Sequence, residues 1–455
     1  MMVGTMSGAA DTVQGSLHGE DVTFRGVSTD TRTLAAGELF VALKGPYFDG
    51  AQFIDEAIEA DAAGAVVSGK VDTDLPTIVV DDTMAALGTL ASNWRQQMRA
   101  TVIGITGSNG KTTLKEMLAS CLTQSAETLA TIGNLNNEIG LPLMLLKLDP
   151  KHRYAVIEMG ANHAGEIAYL TSLAAPKIVA ITNAAPAHLE GFGSVEGVAK
   201  AKGEILTGPT PPEVAVLNAD DDYFTYWKSQ AGDARIITFG LSASADVRAT
   251  EITTTDVGSS FTLHLLGETV DVSLPLAGKH NVANACAAAA IACALEIDAD
   301  EIRTGLEAVQ PVAGRLQPVT SASGATLFDD SYNANPVSVQ AAAEFLAAQP
   351  GRSWLVLGDM AELGGDAALL HAHTGWVTRE AGVEHLLAPG TLSRHTVDAF
   401  GKGAHWYKNV DALVTDLRKS IGEGDVVLVK GSRSSGMERV VNALIENDEA
   451  AEDDD

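Results

Sequence analysis

Cysteine is scarce in this chain, with only Cys121, Cys286 and Cys293 among 455 residues. Their spacing makes no metal-binding pair and suggests no disulfide framework, so reduced thiols in the cytoplasm are expected. Basic residues are also few. Lys and Arg number 30 against 59 Asp and Glu, a formal net charge of -29, which argues against a broad basic surface for nucleic acid. No long apolar run occurs. The longest, Ala285–Leu295, falls well short of the ~20 residues that cross a bilayer. The first residues lack the basic-then-apolar order of a secretion signal, so no membrane insertion or export is expected.

What is present fits an α/β protein. The chain is 46% hydrophobic, with 44 glycines and 15 prolines, unlike a disordered or fibrous sequence. Its length calls for two to four domains. No fixed-period repeat is evident. Short β-rich runs alternate with alanine-rich helical stretches, among them Gly64–Ser68, Thr77–Val80, Thr101–Ile105, Tyr154–Ile157, Lys177–Ile181, Trp354–Leu357 and Val426–Val429. That order predicts parallel sheets joined by crossover helices. Three blocks are expected: residues 1–100, ending in a helix over Met84–Met98; 101–313, with a half-exposed antiparallel excursion over Asp246–Leu276; and 314–446, opening at Gly314-Arg315. The acidic end, 447–455, reads as a solvated, disordered tail.

The strongest local signal is Gly104-Ile-Thr-Gly-Ser-Asn-Gly-Lys-Thr-Thr113, with an apolar strand before it and a helical pattern after it. This is the setting of a phosphate-binding loop. Glycines let successive N–H groups face one concavity, and the helix N-terminus adds positive potential. Gly107, Ser108, Asn109, Gly110, Lys111, Thr112 and Thr113 are therefore candidate nucleotide contacts, with Lys111 on the terminal phosphates and Thr112 on Mg²⁺. The loop predicts use of a nucleoside triphosphate, not a particular reaction.

Four features follow. The asparagine-rich Gly133–Pro142 is either a helix-capping turn or a set of amides for a sugar or peptide. Glu158 closes a strand, where an acid serves either a metal or a helix cap. His188 follows another strand end and is structural or a ligand. Lys200 and Lys202 read, from composition alone, as solvated helix charges.

Taken together with Ser28-Thr-Asp-Thr-Arg32, Gly37–Gly45, Leu217–Asp221, Gly278–Ala285, Asp329–Pro336, Leu357–Gly364 and Lys430-Gly-Ser-Arg433, these segments resemble, in one order and over nearly the whole chain, the Mur ligase family of cell-wall peptide synthetases. The resemblance implies an α/β fold of three domains: a small α/β unit for a UDP-sugar, a central P-loop ATPase-like parallel sheet and a Rossmann-like C-terminal domain. It implies a monomer that forms an amide at the expense of ATP, through an acyl phosphate. The substrates implied are UDP-N-acetylmuramoyl tripeptide and D-alanyl-D-alanine. Carried over by motif, Ser28, Asp30 and Arg32 would hold the uridine end and Asn137 the muramoyl sugar. Lys111, Glu158, His188 and Lys202 would be catalytic. Thr112 and Glu158 would hold one Mg²⁺; His188 would help hold a second, with Lys202 as a carbamate made from CO₂. Asn281 and Asn284 would bracket adenine, Arg315 would meet phosphates and Asp330 the ribose. Asn333, Asn335 and Arg433 would contact the dipeptide. Ala51 departs from the histidine often found in that segment.

Three rivals stay in view. A family member adding a diamino acid should carry Asp-Asn-Pro-Arg, which is absent. A phosphate-loop kinase or mechanical NTPase would need no amine. A binding scaffold would not need Lys111 or Glu158, and both are present.

Overall fold

The computed structural model describes residues 1–445, so the acidic tail expected at 447–455 lies outside the described residues. Among those described, the strands form three main sheets in chain order. The central one has nine strands, in the order Thr128–Ala130, Tyr154–Glu158, Thr101–Thr106, Ile178–Ile181, Val214–Asn218, Arg235–Gly240, Val247–Thr254, Ser259–His264 and Thr269–Leu274. Pairing is parallel as far as Val247–Thr254 and antiparallel beyond it. Inner strands such as Val102–Ile105 and Ala155–Ile157 are buried on both faces, which explains their unbroken apolar runs. The strand Ser259–His264 alternates buried positions with exposed or half-exposed ones, since only one face meets the core.

Helices Lys111–Thr123, Lys279–Ala294 and Ala299–Ala308 pack together on one face of this sheet. Lys279–Ala294 is half alanine and is buried almost all round. Small side chains allow that close approach to the strands Arg235–Gly240 and Val247–Thr254.

The first sheet runs Ser16–His18, Thr77–Val79, Gly64–Val67, Leu39–Val41, Val27–Ser28. The helix that follows spans Thr83–Gln97 rather than the expected Met84–Met98, because Asp82 accepts hydrogen bonds from the N–H groups of Met84 and Ala85 and fixes its start. This helix packs on Gly140–Leu146 and Glu166–Ala174 of the central unit. One apolar cluster, including Met6, Leu87, Leu90, Met144 and Leu170, runs through both units. As folding units, residues 1–100, 101–313 and 314–446 are our proposal, and the shared cluster predicts that the first two melt together.

The third sheet runs Gln317–Thr320, Thr326–Asp330, Asp425–Lys430, Arg352–Leu357, His385–Pro389, Ala404–Tyr407. All neighbours are parallel except the first pair. An apolar cluster lies on each face, around Phe328 and Leu355 on one and around Leu327 and Val427 on the other. That is a doubly wound, Rossmann-like layer. Among the described residues no helix is long and apolar enough to cross a membrane.

Candidate active site

The strand Thr101–Thr106 delivers its last residue into Gly107-Ser-Asn-Gly110, and Lys111 opens the next helix. Two glycines are required by geometry. Gly107 has φ of +145°, and a Cβ there would sit 1.9 Å from the Thr182 hydroxyl oxygen; Gly110 has φ of +81°, with Asn284 Oδ1 2.4 Å from such a Cβ. Gly107→Ala is expected to displace the loop and lower thermal stability, by about 1–3 kcal/mol from backbone strain alone. Calorimetry with and without nucleotide checks this; an unchanged Tm and full nucleotide binding would refute it.

The segment behind the loop anchors it. The N–H of Ser108 donates to the Asn183 carbonyl at 2.9 Å, and that of Asn109 to Asn183 Oδ1 at 3.0 Å. The Thr182 hydroxyl donates to the Asn109 carbonyl at 2.6 Å. Ser108 and Asn109 therefore spend their amides on rigidity. The N–H groups left for an anion belong to the first helical turn from Lys111, which has no intrahelical acceptors. Lys111 Nζ folds back to the carbonyls of Gly107 at 2.7 Å and Ser108 at 3.4 Å. Burial lowers its pKa, an effect that Glu158 opposes and Arg315 reinforces.

Glu158 ends the strand beside Thr101–Thr106 and is buried. Its carboxylate accepts from the Thr112 hydroxyl at 3.0 Å and from Asn136 Nδ2 at 2.8 Å. Asn137 instead accepts at 2.9 Å from the N–H of Gly140, the first residue of the helix Gly140–Leu146. Both asparagines line the same cavity of about 510 Å³, together with Lys111, Glu158, His188, Arg315, Asn333 and Asn335.

A second cavity of about 200 Å³ lies across the loop, where Thr182, Asn183, Asn281, Asn284 and Asp330 meet. Asn109, Gly110, Arg315, Ser338 and Lys430 line both. One of these spaces is polar and open to Lys111, and the other is walled by amides and by Phe239, which suits phosphates on one side and a base on the other.

The third unit closes on the loop. Arg315 Nη2 approaches the Thr112 hydroxyl at 3.4 Å, and its guanidinium stacks over Tyr332 at 4.2 Å. Asn335 caps the helix Pro336–Ala347, and its Nδ2 donates to Asn109 Oδ1 at 2.7 Å. Its side chain is thus already engaged twice. Asp330 accepts from Lys430 Nζ at 2.6 Å. His188 Nδ1 pairs with the Glu362 carboxylate.

Lys202 does not line the cavity. It lies buried on the helix Val195–Gly203, its Nζ 5.3 Å from the Phe192 ring centre. Burial, then the nearby Lys111 charge, pull its pKa down to about 7. The remaining predicted residues stand apart. Asp30 pairs with Arg32 at 2.6 Å, and that arginine is largely exposed. The strand holding Ser28 packs on the helix Gly140–Leu146. Arg433 faces a separate cavity of about 560 Å³, shared with Thr112, Lys115 and Arg315. Asn136, Asn183, Tyr332, Glu362 and Lys430 were not singled out from sequence, although Asn136, Tyr332, Glu362 and Lys430 lie inside motifs that were, and Asn183 lies in the segment past the strand end that carries His188.

A parallel sheet with a phosphate loop, and a second doubly wound unit docked on it across two cavities, defines a nucleotide-dependent enzyme of the phosphate-loop class. The chain belongs to the Mur ligase family. Its models match as the Mur ligase family catalytic domain over residues 23–95, the Mur ligase middle domain over 105–292 and the Mur ligase glutamate ligase domain over 314–433. The UDP-N-acetylmuramoyl-tripeptide–D-alanyl-D-alanine ligase of Escherichia coli K12 is 47% identical, covering 97% of this chain and 98% of its own. MurF from Acinetobacter baumannii superposes with a TM-score of 0.93 at 36% identity, covering 98% of this chain and 100% of its own. MurF ligase from Thermotoga maritima, solved in complex with ADP, gives 0.81 at 27% identity, covering 92% and 97%.

Proposed function

We propose that the protein joins D-alanyl-D-alanine to UDP-N-acetylmuramoyl tripeptide, with ATP converted to ADP and phosphate. Full-length similarity to ligases of that name carries the reading, and the site's chemistry supports it. A carboxylate is a poor electrophile. Its oxygen attacks the γ-phosphorus of ATP, the bond to the bridging oxygen breaks, and ADP leaves an acyl phosphate. The neutral amine of the dipeptide then adds to the acyl carbon, loses its proton, and phosphate departs from the tetrahedral intermediate. Both steps gather anions, so Lys111, Arg315 and the first-turn N–H groups supply the positive potential. In a chain of net charge -29 that potential is local.

In this reading Asn281 and Asn284 hold adenine, Asp330 the ribose, and Ser28, Asp30 and Arg32 the uridine end. Asn137 holds the muramoyl sugar, and Asn333, Asn335 and Arg433 meet the dipeptide. The residues also fit Mg²⁺. Among the described residues no three His, Cys, Asp or Glu converge on a point, and the adjoining Thr112 hydroxyl and Glu158 carboxylate are the partial set that Mg²⁺ takes when substrate phosphates and water complete its shell. Bound there, Mg²⁺ neutralises phosphate charge. His188, through Nε2, and a carbamate on Lys202 would serve a second ion. In this reading the enzyme works in the cytoplasm, where ATP and nucleotide-linked sugars are at hand, and acts as a monomer.

The test is product mass. With ATP, Mg²⁺, the UDP-linked tripeptide and D-alanyl-D-alanine, a pentapeptide is expected, and phosphate release should require the dipeptide. Phosphate released without the dipeptide, and no pentapeptide, would sink the proposal in favour of a simple NTPase.

A further inference from the structure

The His188–Glu362 contact crosses from the central unit to the third. Neither residue reaches it by ordinary backbone geometry. His188 has φ of +53° and Glu362 of +61°, the left-handed region that non-glycine residues seldom enter. Strained backbone of this kind persists where the surroundings over-determine it, and it clusters at working sites. A backbone bond reinforces the contact: the N–H of Glu190 donates to the Glu362 carbonyl at 3.1 Å.

The chemistry of the pairing is directional. A carboxylate on Nδ1 holds the proton on that nitrogen and leaves Nε2 as the lone-pair atom. His188 is half-buried, with its ring edge-on to Phe192 at 6.5 Å, so the ring has little freedom once Glu362 is in place. It lines the cavity that holds Lys111, Thr112 and Glu158. Glu362 does not line that cavity and faces a different groove, bounded by Leu189, Met360 and Leu392.

We propose that Glu362 is a positioning residue: on docking of the third unit it fixes the tautomer and orientation of His188, so that Nε2 is presented to the reaction cavity only in the closed enzyme. The inference rests on the ligase reading for its activity readout. It links arrival of the unit that brings the dipeptide to completion of the site on the central sheet, and so discourages ATP cleavage before the amine is present.

Two variants and two readouts test it. Glu362→Ala removes the acceptor; Glu362→Gln keeps an oxygen that accepts the Nδ1 proton. The expected result is a ~10–100-fold fall in kcat for Glu362→Ala, the range typical of losing a partner that orients a ligating histidine. KM for ATP and dipeptide should hold, and Glu362→Gln should recover most of the rate. Ring-nitrogen NMR on enzyme labelled with ¹⁵N-histidine, assigned by difference with His188→Gln, should show the Nδ1-protonated form lost in Glu362→Ala and retained in Glu362→Gln. Raised KM with full kcat at saturation would mean that Glu362 only docks the unit, and would overturn the proposal. So would unchanged His188 ring signals. The NMR readout does not need turnover, so a wild-type enzyme that fails to ligate would count against the ligase reading without touching this one.

Discussion

Lys111→Met lowers kcat by about 10²–10³, the cost of removing one preorganised donor from developing negative charge, and nucleotide affinity falls less than turnover. In the structure the ammonium bridges the Gly107 and Ser108 carbonyls from inside the loop, the concavity where terminal phosphates would lie. Burial lowers its pKa, so the site gives up part of the ammonium's hydration, and a phosphate partner restores the loss. Methionine keeps an unbranched chain of similar length and packs without a charge. The two carbonyls lose a donor, which costs roughly 1–3 kcal/mol in stability; the fold has Glu158, Thr112 and the Asn183 anchors to keep the loop in shape. Steady-state rates alongside thermal unfolding separate the two effects. A variant that keeps more than about a tenth of wild-type kcat would show that the charge is not used on the reacting phosphates.

Much of this was readable in the chain, for physical reasons that differ by element. The loop was legible because Gly107 and Gly110 occupy backbone conformations that exclude side chains, and glycine spacing records that directly. The parallel sheets were legible because strands buried on both faces must be continuously apolar. The start of the helix Thr83–Gln97 was misplaced by a residue, since Asp82 rather than the apolar pattern sets it. The division near residue 100 hid the apolar cluster that spans it, because a contact between the helices Thr83–Gln97 and Glu166–Ala174 leaves no local trace. Neighbouring asparagines are indistinguishable in sequence: Asn136 reaches Glu158 while Asn137 meets the N–H of Gly140, and only the turn geometry tells which amide points where. Glu362 and Lys430 sit in segments noted from sequence, yet their partners His188 and Asp330 lie 174 and 100 residues away. Pairings at that range are set by topology and not by spacing.

Lys202→Ala is expected to reduce turnover beyond the ~100-fold that losing a supporting partner of a metal ligand costs, and short carboxylates such as formate or acetate should restore part of it. The lysine is buried, and no hydrogen bond to its ammonium is present among the described residues, only the Phe192 ring at 5.3 Å. Desolvation first, and then Lys111, pull its pKa down to about 7, far below an ordinary lysine. The sign follows: the neutral amine, which is the form that adds to CO₂, grows as pH rises through that value. Its nitrogen bonds to the carbon of CO₂, one proton is released, and the side chain becomes an anion. At fixed dissolved CO₂ the modified fraction should therefore climb from slightly acid to slightly alkaline pH. A ¹³C resonance from labelled CO₂ that is absent in Lys202→Ala would report it without any activity measurement. Alanine frees the volume of the lysine chain beside Phe192, and a small carboxylate can enter that space with its oxygens where the carbamate's would be. Larger acids should rescue poorly for lack of room. Full activity of Lys202→Ala without rescue would show that this buried amine only fills space, and a ¹³C signal independent of pH across neutrality would contradict the burial argument.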